Sequence, residues 1–356
     1  MVSLNLHLIG RPARQPKRIG DVSRVSLSDI SSCHPMSSSG RLTSIQALIY
    51  KDRPFHTIFL IVTLSVQRII ALFALETTTM VFQLMKWLFS LNFRRHFRID
   101  RKIGQGGFSK VYAVTRLADS KVLAAKKLDK SKVLHLSDTG SRGPIPVEID
   151  CLNGLRHENI IPIYGYVETR HYWYLMMEYC ETSVDLFSFI RTRGALHEKV
   201  SRDILLQVHS ALTYCLAAGV DHRDVKDSNI LIDVNTLKVK LIDFGLAAPY
   251  QDNTPYTDGR GTSGILPPEL YKTGSYLPLD GLTWALGCLV YKMVTGRRPF
   301  TDRQEAMERK PSSPPASELC RDFIGQCIAK KPSKRTPFDK LVAHRWCWAV
   351  FLYKTS

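Results

Sequence analysis

"DHRDVKDSNILI", residues 221–232, sets Asp221, Asp224 and Asp227 among a histidine, an arginine, a lysine and an asparagine, directly ahead of apolar Ile230, Leu231 and Ile232. Burying such charges is costly unless they are paired. The stretch therefore reads either as a solvated turn before a strand or as a catalytic loop whose charges the strand holds in place. Asp224 is suited to accept or orient the proton of an incoming hydroxyl, and Lys226 to sit beside a phosphoryl group. The side-chain oxygen of Asn229 suits a hard cation.

Other stretches decide between these readings. "IGQGGFSKV" (103–111) carries Gly104 and Gly106, which let a tight hairpin bring backbone N–H groups close to phosphate oxygens. Strand-like "VYAV" follows it, which argues against a turn that delivers phosphates to a helix N-terminus. "VLAAKKL" (122–128) ends an apolar strand on a lysine, and "PVEIDCLNGL" (146–155) offers Glu148 with Ile149, Leu152 and Leu155 at buried helical spacing. In "LIDFGLAA" (241–248) Asp243 follows an apolar strand as a second anchor for magnesium, and Gly245 frees the chain to turn. A metal, a lysine and a general base are the parts phosphoryl transfer needs.

In this order the motifs resemble the eukaryotic protein kinase family: "GQGGFSKV", "AAK", Glu148, "HRD" with "KDSN", "DFG", "PPE" (267–269), "TWALG" (283–287) and Arg335 in "KPSKRTP". The resemblance implies an α+β bilobal fold over 97–350, with a small antiparallel-sheet lobe (97–178) and a mainly helical lobe (185–350). It also implies ATP and Mg2+ as cofactors. Lys126 would hold the α/β-phosphates and pair with Glu148, and Asp224 would be the base, with Lys226 and Thr262 beside it. Asn229 and Asp243 would bind magnesium, and Glu269 would be tied to Arg335. The nucleotide would lie under Ile103, Gly104, Gln105, Gly106, Gly107, Phe108, Ser109, Lys110 and Val111. Its adenine would sit between Val111, Ala124 and Leu231, with Met177 as gatekeeper, the Glu178 carbonyl at the hinge and Asp185 toward the ribose.

The chain more closely resembles the Pim kinases, with PAS kinase as rival, through "LDKSKV", "GPIPVEIDCL", "MEYCETSVDLFSFIRTRGALHE" (177–198) and "KDSNILIDVNTLKVKLIDFG". Lys226 marks serine/threonine specificity. The expected activity is that of a serine/threonine protein kinase, the alternative a pseudokinase or scaffold. Ser109, Asp221, Ile265 and Leu282 depart from the usual pattern: a third glycine, an apolar residue, an aromatic and a bracing aspartate stand there in many kinases. Ser188, Thr192 and Ser228 replace Pim acids, which predicts protein substrates with a blunted preference for basic residues near the target. In "YQDNTPYTDGRGT" (250–262) either Thr254, Tyr256 or Thr257 is phosphorylated to engage Arg223, or Asp252 or Asp258 already serves as the anion. The Pim resemblance favours the latter.

The rest of the chain bounds these expectations. The net charge of +17 over 356 residues is spread along the sequence, with no Lys/Arg stripe interleaved with aromatics, so a nucleic-acid groove is not expected. Eight scattered cysteines without metal-ligand spacing suggest reduced thiols and a cytoplasmic or nuclear protein. The family resemblance suggests a monomer. Residues 1–54, rich in Ser, Arg and Pro, read as a disordered extension. Residues 55–93 are apolar and read as a membrane span, an amphipathic helix packed on the following domain, or a stretch with no native role. Within them 57–75 is long enough to tether the chain to a membrane, against about 2.5–3.5 kcal/mol for a central Arg68.

Overall fold

The computed structural model describes residues 93–106, 109–133, 135–137 and 143–352. The expectations for 1–54, for the apolar stretch up to residue 92, and for Gly107 and Phe108 lie outside the described residues. Among the described residues no helix is long and apolar enough to cross a membrane.

Alternating apolar and polar residues build the first lobe. Strands β1 (Phe97–Gln105), β2 (Ser109–Arg116) and β3 (Val122–Asp129) are followed by a short helix α1 (Val147–Leu152), then β4 (Ile163–Glu168) and β5 (Tyr172–Glu178). They form one antiparallel sheet in the order β1-β2-β3-β5-β4. Strand period two sends Leu123 and Ala125 to one face and Ala124, Lys126 and Leu128 to the other. The first face packs with Phe97, Val114 and Met176. Phe93, in the turn Phe93–His96, closes that cluster by stacking on Tyr174 at a centroid distance of 4.2 Å. Leu128 joins Ile149, Leu152 and Leu175 in the main core, so Lys126 projects toward α1.

The second lobe begins with β6 (Ser183–Asp185), α2 (Leu186–Arg193) and α3 (Glu198–Ala217). Strands β7 (Ile230–Asp233) and β8 (Val239–Leu241) follow, then α4 (Pro268–Thr273), α5 (Pro278–Thr295), α6 (Arg303–Glu308), α7 (Glu318–Cys327) and α8 (Arg345–Leu352). β6, β7 and β8 pair antiparallel in the order β8-β7-β6. α3 is amphipathic: Ile204, Leu205, Val208, Ala211, Leu212 and Cys215 form its buried stripe. α5 is apolar on almost every side and runs through the centre of the lobe, with Trp284 stacked on Phe300 at 5.2 Å. The lobes meet through backbone bonds as well as side chains: Leu241 N–H donates to Asn159 O at 2.8 Å, and Ile161 N–H to Leu241 O at 3.0 Å.

Gly287 lets α5 and α7 approach. A Cβ there would stand 2.4 Å from Cys327 Cβ and 2.7 Å from Ile328 Cγ2. Gly287→Ala gains about 1 kcal/mol of helix propensity. Overpacking of a closed core outweighs that by about 1–2 kcal/mol. The variant should melt several degrees below wild type in a thermal denaturation scan.

Candidate active site

The segment 221–232 is a buried loop, not a solvated turn. Asp221, His222, Arg223, Asp224, Asp227 and Asn229 are all buried, and Val225, Ile230 and Ile232 anchor them in the core. Each charge has a defined partner. Asp224 Oδ1 accepts from Thr262 Oγ1 at 2.9 Å, and Oδ2 from Lys226 Nζ at 2.6 Å and Asn229 Nδ2 at 2.9 Å. Lys226 Nζ also donates to Thr262 Oγ1 at 2.8 Å, and Asn229 Nδ2 to Asp224 O at 2.8 Å. Asp224, Lys226, Asn229 and Thr262 thus form one network drawn from two distant parts of the chain.

His222, to which the sequence reading gave no role, ties this loop to the next. Its Nδ1 accepts the Asp224 amide at 3.3 Å, so Nε2 carries the proton and donates to Ile242 O at 3.0 Å. Its ring meets Phe244 edge-on at 4.6 Å. Burial lowers its basicity, which keeps it neutral. Its position in "HRD", beside the expected base, was the available signal.

Asp243 follows with φ 64°, and Arg223 has φ 62°, both in the left-handed region that non-glycine residues seldom adopt. Asp243 Oδ1 accepts the Gly245 amide at 3.2 Å and Lys126 Nζ at 2.9 Å. Lys126 Nζ also donates to Glu148 Oε1 at 2.6 Å, deep between the lobes. Burial alone would depress the Lys126 ammonium, but Glu148 and Asp243 outweigh it and hold it above the ordinary lysine value. Burial likewise pushes Asp243 up, and Lys126 overcomes this and holds it below the usual carboxylate range.

The described residues expected around a nucleotide come from the β1–β2 hairpin and from β3, β5, β6 and β7. Gly106 N–H donates to Ser109 O at 2.9 Å, closing the β1–β2 hairpin, while Gly104 and Gln105 pair with Val111 and Lys110. Ile103 is exposed at its edge. In register, Val111 stands opposite Lys126, and Ala124 opposite Met177. Leu231 pairs with Asp185. Asp185 is already engaged, because its Oδ1 caps α2 through the Ser188 amide at 2.7 Å. The Glu178 carboxylate pairs with Lys240 at 3.0 Å.

Asp221, the departure that had no evident partner, has two neighbours. Its Oδ1 accepts the Arg223 amide at 3.1 Å. The Tyr256 hydroxyl, buried without a well-aligned hydrogen bond, faces its carboxyl. No carboxylate comes from α5, where Leu282 lines the same cavity. Tyr256 also stacks over the Arg223 guanidinium at 4.1 Å and is pinned by paired backbone bonds with Tyr276 at 2.9 and 3.1 Å. Arg223 grips Asp258 with both terminal nitrogens, one of them at 3.0 Å. Farther off, Arg335 holds Glu269 through two bonds of 2.7 and 2.6 Å.

Residues 97–347 match the family model described as protein kinase domain. The chain belongs to the protein kinase family. It is 34% identical to the serine/threonine-protein kinase pim-2 of Danio rerio, over 72% of this chain and 86% of that protein. It is 29% identical to the serine/threonine-protein kinase prk-2 of Caenorhabditis elegans, over 71% of this chain and 58% of that one. To the serine/threonine-protein kinase SIK1 of Mus musculus it is also 29% identical, over 70% of this chain but only 32% of the relative. The chain is accordingly a serine/threonine protein kinase with Pim-like similarity, and its family uses ATP and Mg2+.

Burial pushes the Asp221 carboxyl up to about 6 from 3.8, against the pull of the Arg223 amide. A carboxyl raised on folding stabilises the protein below its unfolded value and loses that contribution as pH rises through 6. Asn at this position keeps an oxygen for the Arg223 amide and does not ionise. The stability difference between Asp221→Asn and wild type should therefore grow in the variant's favour from pH 4 to pH 8, by up to about 3 kcal/mol. Denaturant titrations at several pH values measure it.

Proposed function

We propose that Asp224 orients the hydroxyl of a protein serine or threonine for transfer of the ATP γ-phosphoryl group, with Lys226 and Thr262 fixing its carboxylate. The observation that carries this is the Asp224 network, whose two oxygens are held by Thr262, Lys226 and Asn229. A carboxylate so held cannot rotate away, and positioning is most of what phosphoryl transfer requires. Lys126, held by Glu148 in the cleft, is the cation for the α/β-phosphates. The hairpin from Ile103 to Val111 would cover the phosphates, and Val111, Ala124, Met177, Glu178 and Leu231 would frame the adenine. With Asp185 Oδ1 spent on capping α2, its second oxygen is the one left for the ribose.

Asn229 and Asp243 fit a magnesium ion chemically. Both offer oxygen donors, and the Asn229 amide nitrogen is committed to Asp224, which turns its carbonyl oxygen the other way. Bound magnesium would neutralise charge on the triphosphate. Lys126 then has Glu148 as its fixed partner, and its bond to Asp243 is the one open to exchange.

The kinase is active without phosphorylation of its activation segment. Asp258 already occupies Arg223 as a bidentate anion, the place a phosphate would otherwise take. Preference for basic substrates is blunted. Asp227 is paired with Arg298 at 3.5 Å, and Ser188, Thr192 and Ser228 carry no charge.

Three assays test this reading. With ATP, magnesium and a generic peptide, Asp224→Asn should lower kcat by about 10²–10⁴-fold. Equal turnover by the two proteins would sink the assignment. The triple variant Thr254→Ala/Tyr256→Phe/Thr257→Ala should keep most of its activity while Asp258→Ala loses it, and the reverse order would mean that a phosphate is needed. A peptide array should give a weak arginine preference.

A further inference from the structure

A second pocket opens beside the Asp224 network. It is lined by Lys226, Asp227, Gly264, Ile265, Lys292, Arg298 and apolar groups of α5. Local geometry builds it. Gly264 has φ 79°, and a Cβ there would stand 2.8 Å from Phe300 O, so the 261–269 segment lies against the turn that carries Arg298. Ile265 N–H donates to Thr262 O at 3.0 Å, which joins the pocket wall to the residue that holds Asp224. Lys226 belongs to both sites.

The charges in this pocket do not balance. Asp227 Oδ1 is held by Arg298 at 3.5 Å and by the Ser228 amide at 3.1 Å. Lys292 gives one bond, to Gly296 O at 2.7 Å, and has two more protons to offer. Arg298 has one long contact for five N–H groups and keeps 35% of its side chain open. Burial depresses the Lys292 ammonium, Asp227 opposes this and Arg298 adds to it. An incoming anion would relieve that repulsion. One buried carboxylate thus faces two under-used cations. Asp227 Oδ2 is buried without a hydrogen bond, so Asp227 meets Arg298 through Oδ1 alone.

We propose that this pocket is a substrate subsite for an anionic side chain, a carboxylate or a phosphorylated residue, close in sequence to the serine or threonine that receives the phosphoryl group. Lys292 and Arg298 are its specificity-determining residues. The proposal rests on Asp224 marking the phosphoacceptor site. Guanidinium and ammonium groups recognise carboxylate and phosphate alike, so the two sources are separated by experiment.

The test uses the full-length protein and serine peptides in which Asp, phosphoserine, Ala or Arg is placed in turn at each neighbouring position. At one position Asp or phosphoserine should raise kcat/KM about fivefold over Ala, as expected for partly exposed charge pairs, and Arg should fall below Ala. A gain with phosphoserine alone identifies a primed substrate, and a gain with both an acidic one. Lys292→Ala and Arg298→Ala, made separately, should each shrink the ratio, and Lys292→Glu should turn the preference toward Arg. Fluorescence anisotropy with the serine replaced by alanine reads the same ranking without turnover. Tighter binding of acidic peptides with no turnover would support the pocket and sink the kinase assignment instead. A profile in which no position favours Asp or phosphoserine over Ala, or an acidic preference untouched in the variants, would overturn the subsite.

Discussion

An ammonium ion buried between two lobes can persist only if carboxylates surround it, and this requirement organises the molecule. Lys126 lies on a strand whose neighbours are nearly all apolar, and desolvation works against its charge. Glu148 from α1 and Asp243 from the loop after β8 supply the compensation. Removing one member of such a set would strand the others, because an unpaired buried charge is far more costly than a paired one. The placement of α1, the sharp turn at Asp243 and the packing of the lobes are thus linked through one nitrogen atom.

The catalytic loop solves the same problem in another way. Its acids, histidine, arginine and asparagine are withdrawn from water: Asp224, Asn229 and Arg223 are held by the loop itself or by the activation segment, His222 reaches Ile242 O, and Asp227 meets Arg298. The loop's rigidity comes from local backbone bonds: His222 binds the Asp224 amide and Ile242 O, and Asp221 binds the Arg223 amide. With Leu282 facing it from α5, the loop takes that last bond from its own chain. Arg223, Asp258, Tyr256 and Tyr276 then fasten the activation segment above it.

Much of this was legible in the sequence, because motifs tied to chemistry sit at fixed places along the chain. The β1–β2 hairpin, the strand lysine, Glu148 and the Asp224, Asn229 and Asp243 set could all be picked out beforehand, and their ordered spacing implied a bilobal fold. What could not be read was pairing across long separations. Asp258 and Asp252 were equal candidates for Arg223, and the backbone alone decides that Asp258 meets it while Asp252 takes the Tyr250 hydroxyl. Tyr256 looked like a phosphorylation target, yet it packs against Arg223 and Tyr276 and faces Asp221. Lys292 and Arg298, on and just after α5, had no role assigned from the sequence. They line the second pocket, where the close approach at Gly264 sets the 261–269 segment against the turn that carries Arg298.

The aromatic stack at the start of the first lobe bears on where the folded unit begins. The family match starts at Phe97, yet Phe93 lies four residues earlier and covers the outer face of the sheet with its ring on Tyr174. A fragment cut at the family boundary would remove the Phe93 ring from its cluster with Phe97, Val114 and Met176. The working boundary of the catalytic unit therefore lies upstream of the motif-defined one, inside the turn that hands the chain over from its amino-terminal extension.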